Sequence, residues 1–387
     1  MASPLEQTLR DAAERSPFYR QLFGARLPRF EDIPTTDKQT LSERTQDFLC
    51  VPRNQIAEIV TTSGTTGHPL IYMLTAADLD RLGENERQSF ECAGLTAKDT
   101  VLLAVTLDRC FIAGLAYWLG LRKLGCTVTR VGPTPALLSA MVEQLKPTAV
   151  VAVPSSLRLI ANAAVPKAIC IGEPVRNRDF SLNTAGAAIE ASWNTRVFAT
   201  YGVTELASSL CECEAGNGGH LHPDLLHLEI LDDAGQPVPD GEVGEIVATT
   251  IGVEAMPLIR YRTGDCAALF REPCRCGRTT PRLGPILGRK NQKLKLKGTT
   301  LFPSALQSIL ETTAGVDAFV IVARRQDELS DAVEVVVHGS VSASALREIL
   351  QGRAKCAPAI RHASLEEIET LQMPANARKR RYFVDLR

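Results

Sequence analysis

Between residues 99 and 171 the chain alternates short apolar runs with stretches of helical periodicity, and no other feature limits the fold as much. The runs 101–105, 127–131, 149–153 and 167–171 read as strands. The intervening stretches around 113–123, 135–145 and 155–163 carry apolar residues at helical spacing. Strands that run the same way need long crossovers between them, and helices supply these while covering the sheet. The pattern therefore predicts an α/β fold built on a largely parallel sheet with both faces buried.

The flanking segments have other textures. Residues 4–23 read as a helix anchored by Ser16-Pro17-Phe18-Tyr19, and a turn from Pro34 to Asp37 precedes a second short helix. After residue 226 the chain becomes rich in short β runs, 228–231 and 243–250, separated by the Asp/Gly/Pro-dense turns of 232–242. A smaller α+β unit is expected from Gly288: strand 293–296, helix 303–312, strands 316–323 and 332–338, helix 342–352, then a basic tail. The expected division is a large N-terminal domain, 1–287, and a small C-terminal domain, 288–387.

Composition excludes several functional classes. Forty-three basic against 44 acidic residues leave a net charge of −1, so there is no electrostatic footprint for nucleic acid or an anionic membrane. No apolar run approaches the roughly 20 residues that span a bilayer, and the N-terminus lacks a signal-peptide pattern, so a cytoplasmic location is expected. Eleven cysteines is an odd number and does not suggest a disulfide framework. Seven of them (Cys50, Cys92, Cys110, Cys126, Cys170, Cys266 and Cys356) read as small buried hydrophobes. Cys211 with Cys213, and Cys274 with Cys276, are paired closely in sequence and need another reading.

The chemistry is carried by three short motifs. Thr61-Thr62-Ser63-Gly64-Thr65-Thr66-Gly67-His68-Pro69 follows an apolar run; its glycines let backbone N–H groups converge on an anion, and its hydroxyls add donors. It is not a Walker loop, because His68 stands where that loop needs Lys. Tyr201-Gly202-Val203-Thr204-Glu205 and Tyr261-Arg262-Thr263-Gly264-Asp265 supply an aromatic ring, hydroxyls and carboxylates. A planar base suits an aromatic partner, a triphosphate suits a hard cation on a carboxylate, and a diol suits a carboxylate acceptor.

Together these motifs resemble those of the adenylate-forming superfamily, which includes acyl-CoA synthetases, peptide-synthetase adenylation domains and luciferases. Ser16-Pro17-Phe18-Tyr19-Arg20, Met256-Pro257-Leu258-Ile259-Arg260, Cys274-Arg275-Cys276-Gly277-Arg278 and Leu301-Phe302-Pro303-Ser304 bring the likeness nearest to the phenylacetate–CoA ligase branch. The resemblance implies a two-domain fold whose small domain is mobile, and ATP-dependent activation of a carboxylic acid to an acyl-adenylate with pyrophosphate release, followed by transfer to the thiol of CoA.

Roles follow residue by residue from that likeness. Thr62, Ser63, Gly64, Thr65, Thr66 and Gly67 would hold the phosphates, and Gly172-Glu173-Pro174 would lie along the adenine. Tyr201 would stack on adenine beside Gly202, Thr204 would meet the α-phosphate, Glu205 would hold Mg²⁺, and Asp265 would accept both ribose hydroxyls. Asn291 stands at the family's hinge Asp, and Lys297 at its Arg before Gly298. Lys379 falls on the catalytic lysine, with Arg378 in place of the usual Gly. Phe111, Ala113, Gly114, Phe198 and Ala199 would line the acyl pocket, where aromatic acids fit the family better than long fatty acids; Asp108 or Arg109 would meet a polar ring substituent.

Cys213, His220, Cys274 and Cys276 form a candidate structural zinc site, with Cys211 and His222 as alternative ligands. The expected partners are a small carboxylic acid and CoA or a carrier protein, with oligomeric state open, a homodimer included. Three other readings stand beside CoA ligation: transfer to a carrier-protein phosphopantetheine or an amine, a fatty-acyl protein synthetase, and a nucleotide-binding regulator without catalysis.

Overall fold

The computed structural model describes residues 3–62, 70–160, 163–296, 299–325, 331–374 and 381–387. It divides into two compact units, Met1–Ile286 and Leu287–Arg387.

The first unit is organised by a six-stranded sheet in the order Thr127–Arg130, Thr100–Ala104, Ala149–Ala152, Lys167–Cys170, Arg196–Val203, Ser208–Cys211. All neighbours pair parallel except the last two, which are antiparallel. Because successive side chains alternate faces, each strand feeds two separate cores. Leu102, Ala104, Val150, Ala152, Ala168 and Val197 pack on one side with Ile189 and Trp193 of the helix Thr184–Trp193. Val101, Leu103, Val151, Ile169 and Phe198 pack on the other with Tyr117 and Leu121 of the helix Ile112–Leu124 and Phe90 of the helix Ala76–Cys92. The expected α/β architecture with both faces covered is the one observed. The expected helix at 155–163 reduces to one turn, Pro154–Leu157.

A second, antiparallel sheet follows the order Leu226–Leu231, Val243–Thr250, Tyr261–Phe270, Arg282–Leu283, Gly219–His220. The N-terminal segment is two helices, Pro4–Arg15 and Pro17–Phe23, rather than one. Ser16 breaks them: its hydroxyl accepts from Tyr19 N and donates to Asp47 O, while Pro17 opens the second helix.

The helix Ala76–Cys92 was not foreseen, because polar residues interrupt its buried face. Asp78, Arg81, Asn85, Glu86 and Ser89 are all buried. Arg81 donates to the carbonyls of Ile251, Ala207 and Leu225, tying three separate segments to this helix. This helix packs so tightly on Ile112–Leu124 that a Cβ at Gly120 would lie 2.3 Å from the Glu86 Cβ and 2.8 Å from its backbone carbon. Gly120→Val should therefore destabilise the first unit by about 1–3 kcal/mol, read as a lower urea midpoint at unchanged m-value.

The second unit is a four-stranded sheet ordered Ala359–His362, Asp331–His338, Ala318–Arg325, Phe383–Asp385, flanked by the helices Pro303–Glu311, Ala343–Ala354 and Leu365–Gln372. A separate hairpin joins Leu294–Leu296 to Thr299–Leu301. The end of the chain is more than the basic tail expected. Phe383–Asp385 adds to the sheet in parallel, and Arg387 bonds Asp331, Asp385 and the carbonyls of Lys293 and Asn291.

Candidate active site

In an open parallel sheet, ligands bind outside the carboxyl ends of the strands, at the point where strand order reverses. Here order reverses between Thr127–Arg130 and Ala149–Ala152, on either side of Thr100–Ala104. The carboxyl ends deliver three of the segments singled out in the sequence. Residues 105–114 follow the first strand, Gly172-Glu173-Pro174 follows Lys167–Cys170, and Tyr201 to Glu205 completes Arg196–Val203 and its following turn.

Two tyrosine–carboxylate pairs form the polar centre. Tyr201 Oη donates to Asp265 Oδ2 at 3.1 Å, tying the end of the parallel sheet to the strand Tyr261–Phe270. Tyr261 Oη donates to Glu205 Oε1 at 3.2 Å. Burial first, then the adjoining carboxylates, push both phenols well above their usual range, so both remain hydroxyl donors. Glu205 and Asp265 are buried, at 5% and 8% exposure, and the amide of Asp265 is held by Thr263 Oγ1. Thr204 opens the single turn Thr204–Leu206, its carbonyl accepting from Ala207 N, and Glu205 is the buried middle residue of that turn. A third group joins that carboxylate: Lys38 Nζ lies 3.7 Å from Glu205 Oε1. Neither Lys38 nor the role of Tyr261 was foreseen. Tyr261 stood in a recognised motif, whereas Lys38 carried no signal of its own.

The remaining predicted residues are placed as follows. Glu173 accepts from the amide and hydroxyl of Ser155, fixing the loop after Gly172. Thr62 closes the base of the Ser/Thr/Gly loop by exchanging bonds with Leu70. Ser63, Gly64, Thr65, Thr66 and Gly67 lie outside the described residues, as do Lys297, Gly298, Arg378 and Lys379. Asn291 sits in the turn Lys290–Gln292 of the second unit.

Around the expected acyl pocket, Gly114 is required by packing, since a Cβ there would meet Thr106 O at 2.1 Å. Phe111 is 37% exposed. Phe198 and Ala199 do not form one wall: the pleat buries Phe198 among Phe90 and Tyr117, while Ala199 packs on the opposite face. Asp108 and Arg109 are largely exposed and face one another loosely, at 3.9 Å.

A second constellation lies between the loop after Ser208–Cys211 and the loop after Tyr261–Phe270. The donor atoms of Cys213, His220, Cys274 and Cys276 all lie within 4.8 Å of one another. Cys213 Sγ is 3.6 Å from Cys274 Sγ, and Cys276 Sγ is 3.5 Å from His220 Nε2. A tetrahedral zinc with bonds of about 2.3 Å to sulfur and about 2.0 Å to nitrogen spans ligand separations of about 3.5–3.8 Å, which these two separations match. Thr280 Oγ1 holds His220 Nδ1 at 3.1 Å, leaving Nε2 for the cluster. Burial, then Arg278 and Arg282, lower His220 to about 4, which keeps the imidazole neutral. Burial raises Cys276, but the backbone and guanidinium of Arg278, together with the Cys213 and Cys274 thiols, outweigh it and bring the thiol down to about 7. Of the two alternative ligands, Cys211 is packed in the core with Phe198, and His222 Nε2 bonds Ser89 Oγ.

The fold is that of the two-domain adenylate-forming enzymes. A 2-hydroxyisobutyryl-CoA ligase solved in the postadenylation state with R3-HIB-AMP superposes with a TM-score of 0.84 at 22% identity, covering 99% of this chain and 88% of that one. ATP-bound MatB from Rhodopseudomonas palustris superposes with a TM-score of 0.62 at 18% identity over 81% of this chain and 65% of that one. At such identities the likeness is one of fold. In sequence, residues 9–255 match the family described as AMP-binding enzyme. The phenylacetate-coenzyme A ligase of Thermus thermophilus is 32% identical over 345 residues, 82% of this chain and 76% of that protein. That of Escherichia coli is 30% identical over 328 residues, 78% of this chain and 73% of that protein. The chain belongs to the AMP-binding enzyme family, in the phenylacetate–CoA ligase-like branch of AMP-forming acid–CoA ligases. Among the described residues no helix is long and apolar enough to cross a membrane.

Proposed function

We propose that the protein activates an aryl or arylacetic acid with ATP and Mg²⁺, releases pyrophosphate, and passes the acyl group from the adenylate to CoA. The observation that carries the reading is the convergence of Tyr201, Glu205, Tyr261 and Asp265, from two sheets, at the carboxyl end of the parallel strands. The carboxylate oxygen of the acid attacks the α-phosphorus and pyrophosphate departs. No side-chain nucleophile is needed, so the enzyme's part is positioning and charge compensation.

Glu205, buried and oriented by Tyr261, is the group suited to hold Mg²⁺. Asp265, oriented by Tyr201, is suited to a ribose diol. Thr62 to Gly67 would cradle the phosphates, Lys379 would meet the charge developing at the α-phosphorus, and Asn291 would serve as the hinge on which the second unit moves between the two half-reactions. Zinc, held by Cys213, His220, Cys274 and Cys276, would be structural, because a closed four-ligand shell leaves no open position.

The preference for an aromatic acid rests on the family branch and on small or flat residues about the 105–114 segment, Phe111, Ala113 and Gly114 among them. The deciding measurement is pyrophosphate release with ATP and Mg²⁺ across benzoates, arylacetates and fatty acids, without CoA. Release with an aromatic acid is expected, and thioester should form on adding CoA. Release only with long-chain acids would point to the fatty-acyl reading, and thioester only on a carrier protein would move the acceptor. Release with no acid, from protein that binds ATP, would leave the regulatory reading.

A further inference from the structure

We propose that Lys38 is a working part of the nucleotide site: it is the counter-ion of Glu205 in the resting enzyme, yields that carboxylate to the divalent cation, and then neutralises the polyphosphate. The inference rests on Glu205 being the Mg²⁺ ligand proposed above.

Lys38 is delivered by a segment pinned at backbone level. Thr36 bridges in parallel to Tyr261, with Thr36 N bonding Arg260 O at 3.1 Å and Arg262 N bonding Thr36 O at 2.8 Å. Asp37 then caps the short helix Lys38–Glu43, accepting from Thr40 N at 2.8 Å. The same strand that orients Glu205 through the Tyr261 hydroxyl thus also fixes the origin of Lys38.

Lys38 occupies the first helical position, where the positive end of the peptide dipoles disfavours a cation. The capping Asp37 carboxylate offsets part of that cost, and Glu205, 3.7 Å from Nζ, supplies a second carboxylate to the ammonium. The two partners differ in a way that suits exchange. Glu205 is buried to 7% side-chain exposure and cannot leave, whereas 47% of the Lys38 side chain is open to solvent on a flexible four-carbon stem. A divalent cation arriving on Glu205 repels the ammonium at that distance, and the nearest compensating charge it brings is its own nucleotide's phosphates. Lys38 would prevent the empty site from taking free metal tightly and favour metal that arrives with ATP.

The test compares the full-length wild type, Lys38→Met and Lys38→Arg in two ways. Mn²⁺ binding to nucleotide-free protein is titrated by electron paramagnetic resonance, and the ATP KM of acid-dependent pyrophosphate release is measured. Because one partner is buried and the other half open, Lys38→Met should bind Mn²⁺ roughly threefold to tenfold more tightly and show an ATP KM raised by a similar factor. Lys38→Arg should return both values towards wild type. Unchanged Mn²⁺ affinity in Lys38→Met overturns the proposal whatever the KM does, and tighter Mn²⁺ with unchanged KM removes its polyphosphate half. The wild-type arm separates the underlying reading: acid-dependent pyrophosphate release that needs no divalent cation discredits Glu205 as a metal ligand, and the role of Lys38 falls with it.

Discussion

Glu205→Gln should lower acid-dependent pyrophosphate release by about 10²- to 10³-fold while leaving the thermal midpoint almost unchanged. The amide keeps the shape of the side chain, and its oxygen can still accept from Tyr261 Oη, which burial, the largest cause of its raised pKa, keeps in the protonated form without the carboxylate. Only the charge is lost. Its structural partner, Lys38, is half open to solvent, and such an ion pair contributes no more than about 1 kcal/mol to folding. A large loss of rate at constant stability would thus isolate the electrostatic role. Tyr261→Phe is the complementary variant: it leaves the charge and removes the hydrogen bond that aims it, so its loss of rate should be the smaller of the two. If Glu205→Gln retained near wild-type release at saturating Mg²⁺, the metal would have to be held elsewhere.

The second large effect concerns the cysteine–histidine cluster and should appear in stability. The purified protein is expected to carry about one zinc per chain. Cys274→Ser should lose it and unfold roughly 5–10 °C lower, since the loss of a structural metal belongs among the largest single-residue effects. The reason is topological. The cluster joins the loop that follows Glu205 and the strand Ser208–Cys211 to the loop that follows the strand bearing Asp265, so its loss frees two chain segments at once. Cys92→Ser changes a buried thiol outside the cluster and should cost far less. Near-normal kcat for Cys274→Ser at low temperature would accord with a structural role. Protein that contains no zinc, or a Cys274→Ser variant that melts with the wild type, would remove the metal from the account.

How much of this was legible beforehand differs by element. The parallel strands could be read because both of their faces are apolar: Val101 and Leu103 enter one core and Leu102 and Ala104 the other, so burial leaves a continuous hydrophobic run in the sequence. The helix Ala76–Cys92 is buried as deeply yet could not be read. Its inner face carries Asp78, Arg81, Asn85, Glu86 and Ser89, whose partners are backbone carbonyls, amides and serines of distant segments. Hydrophobic periodicity, which marks most buried helices, is diluted there, with Leu82, Phe90 and Cys92 set among those polar groups. The strand Phe383–Asp385 was hidden for a related reason: three residues at the edge of a sheet leave too little pattern beside a basic tail.

The site divides the same way. Tyr201, Glu205 and Asp265 were identifiable through the family resemblance of their motifs, each of which lies within a single strand and its adjoining turn. Cys213, His220, Cys274 and Cys276 were named from the sequence with Cys211 and His222 as alternatives, and the fold gathers the first four and sets the other two aside. Alternation along a strand sends Cys211 into the core, and Ser89 engages His222.

The sequence by itself therefore determined the parallel α/β sheet, the two-unit division of texture and the identity of the motif residues. These are properties of neighbouring positions, governed by side-chain periodicity and by backbone freedom at glycines. Only the tertiary structure decided that Tyr201 orients Asp265, that Tyr261 orients Glu205, and that Lys38 rather than some other cation faces that carboxylate. A hydrogen bond or ion pair acts over a few ångströms of space whatever the separation along the chain, so a polar residue's partner becomes visible only once the backbone has brought the two together.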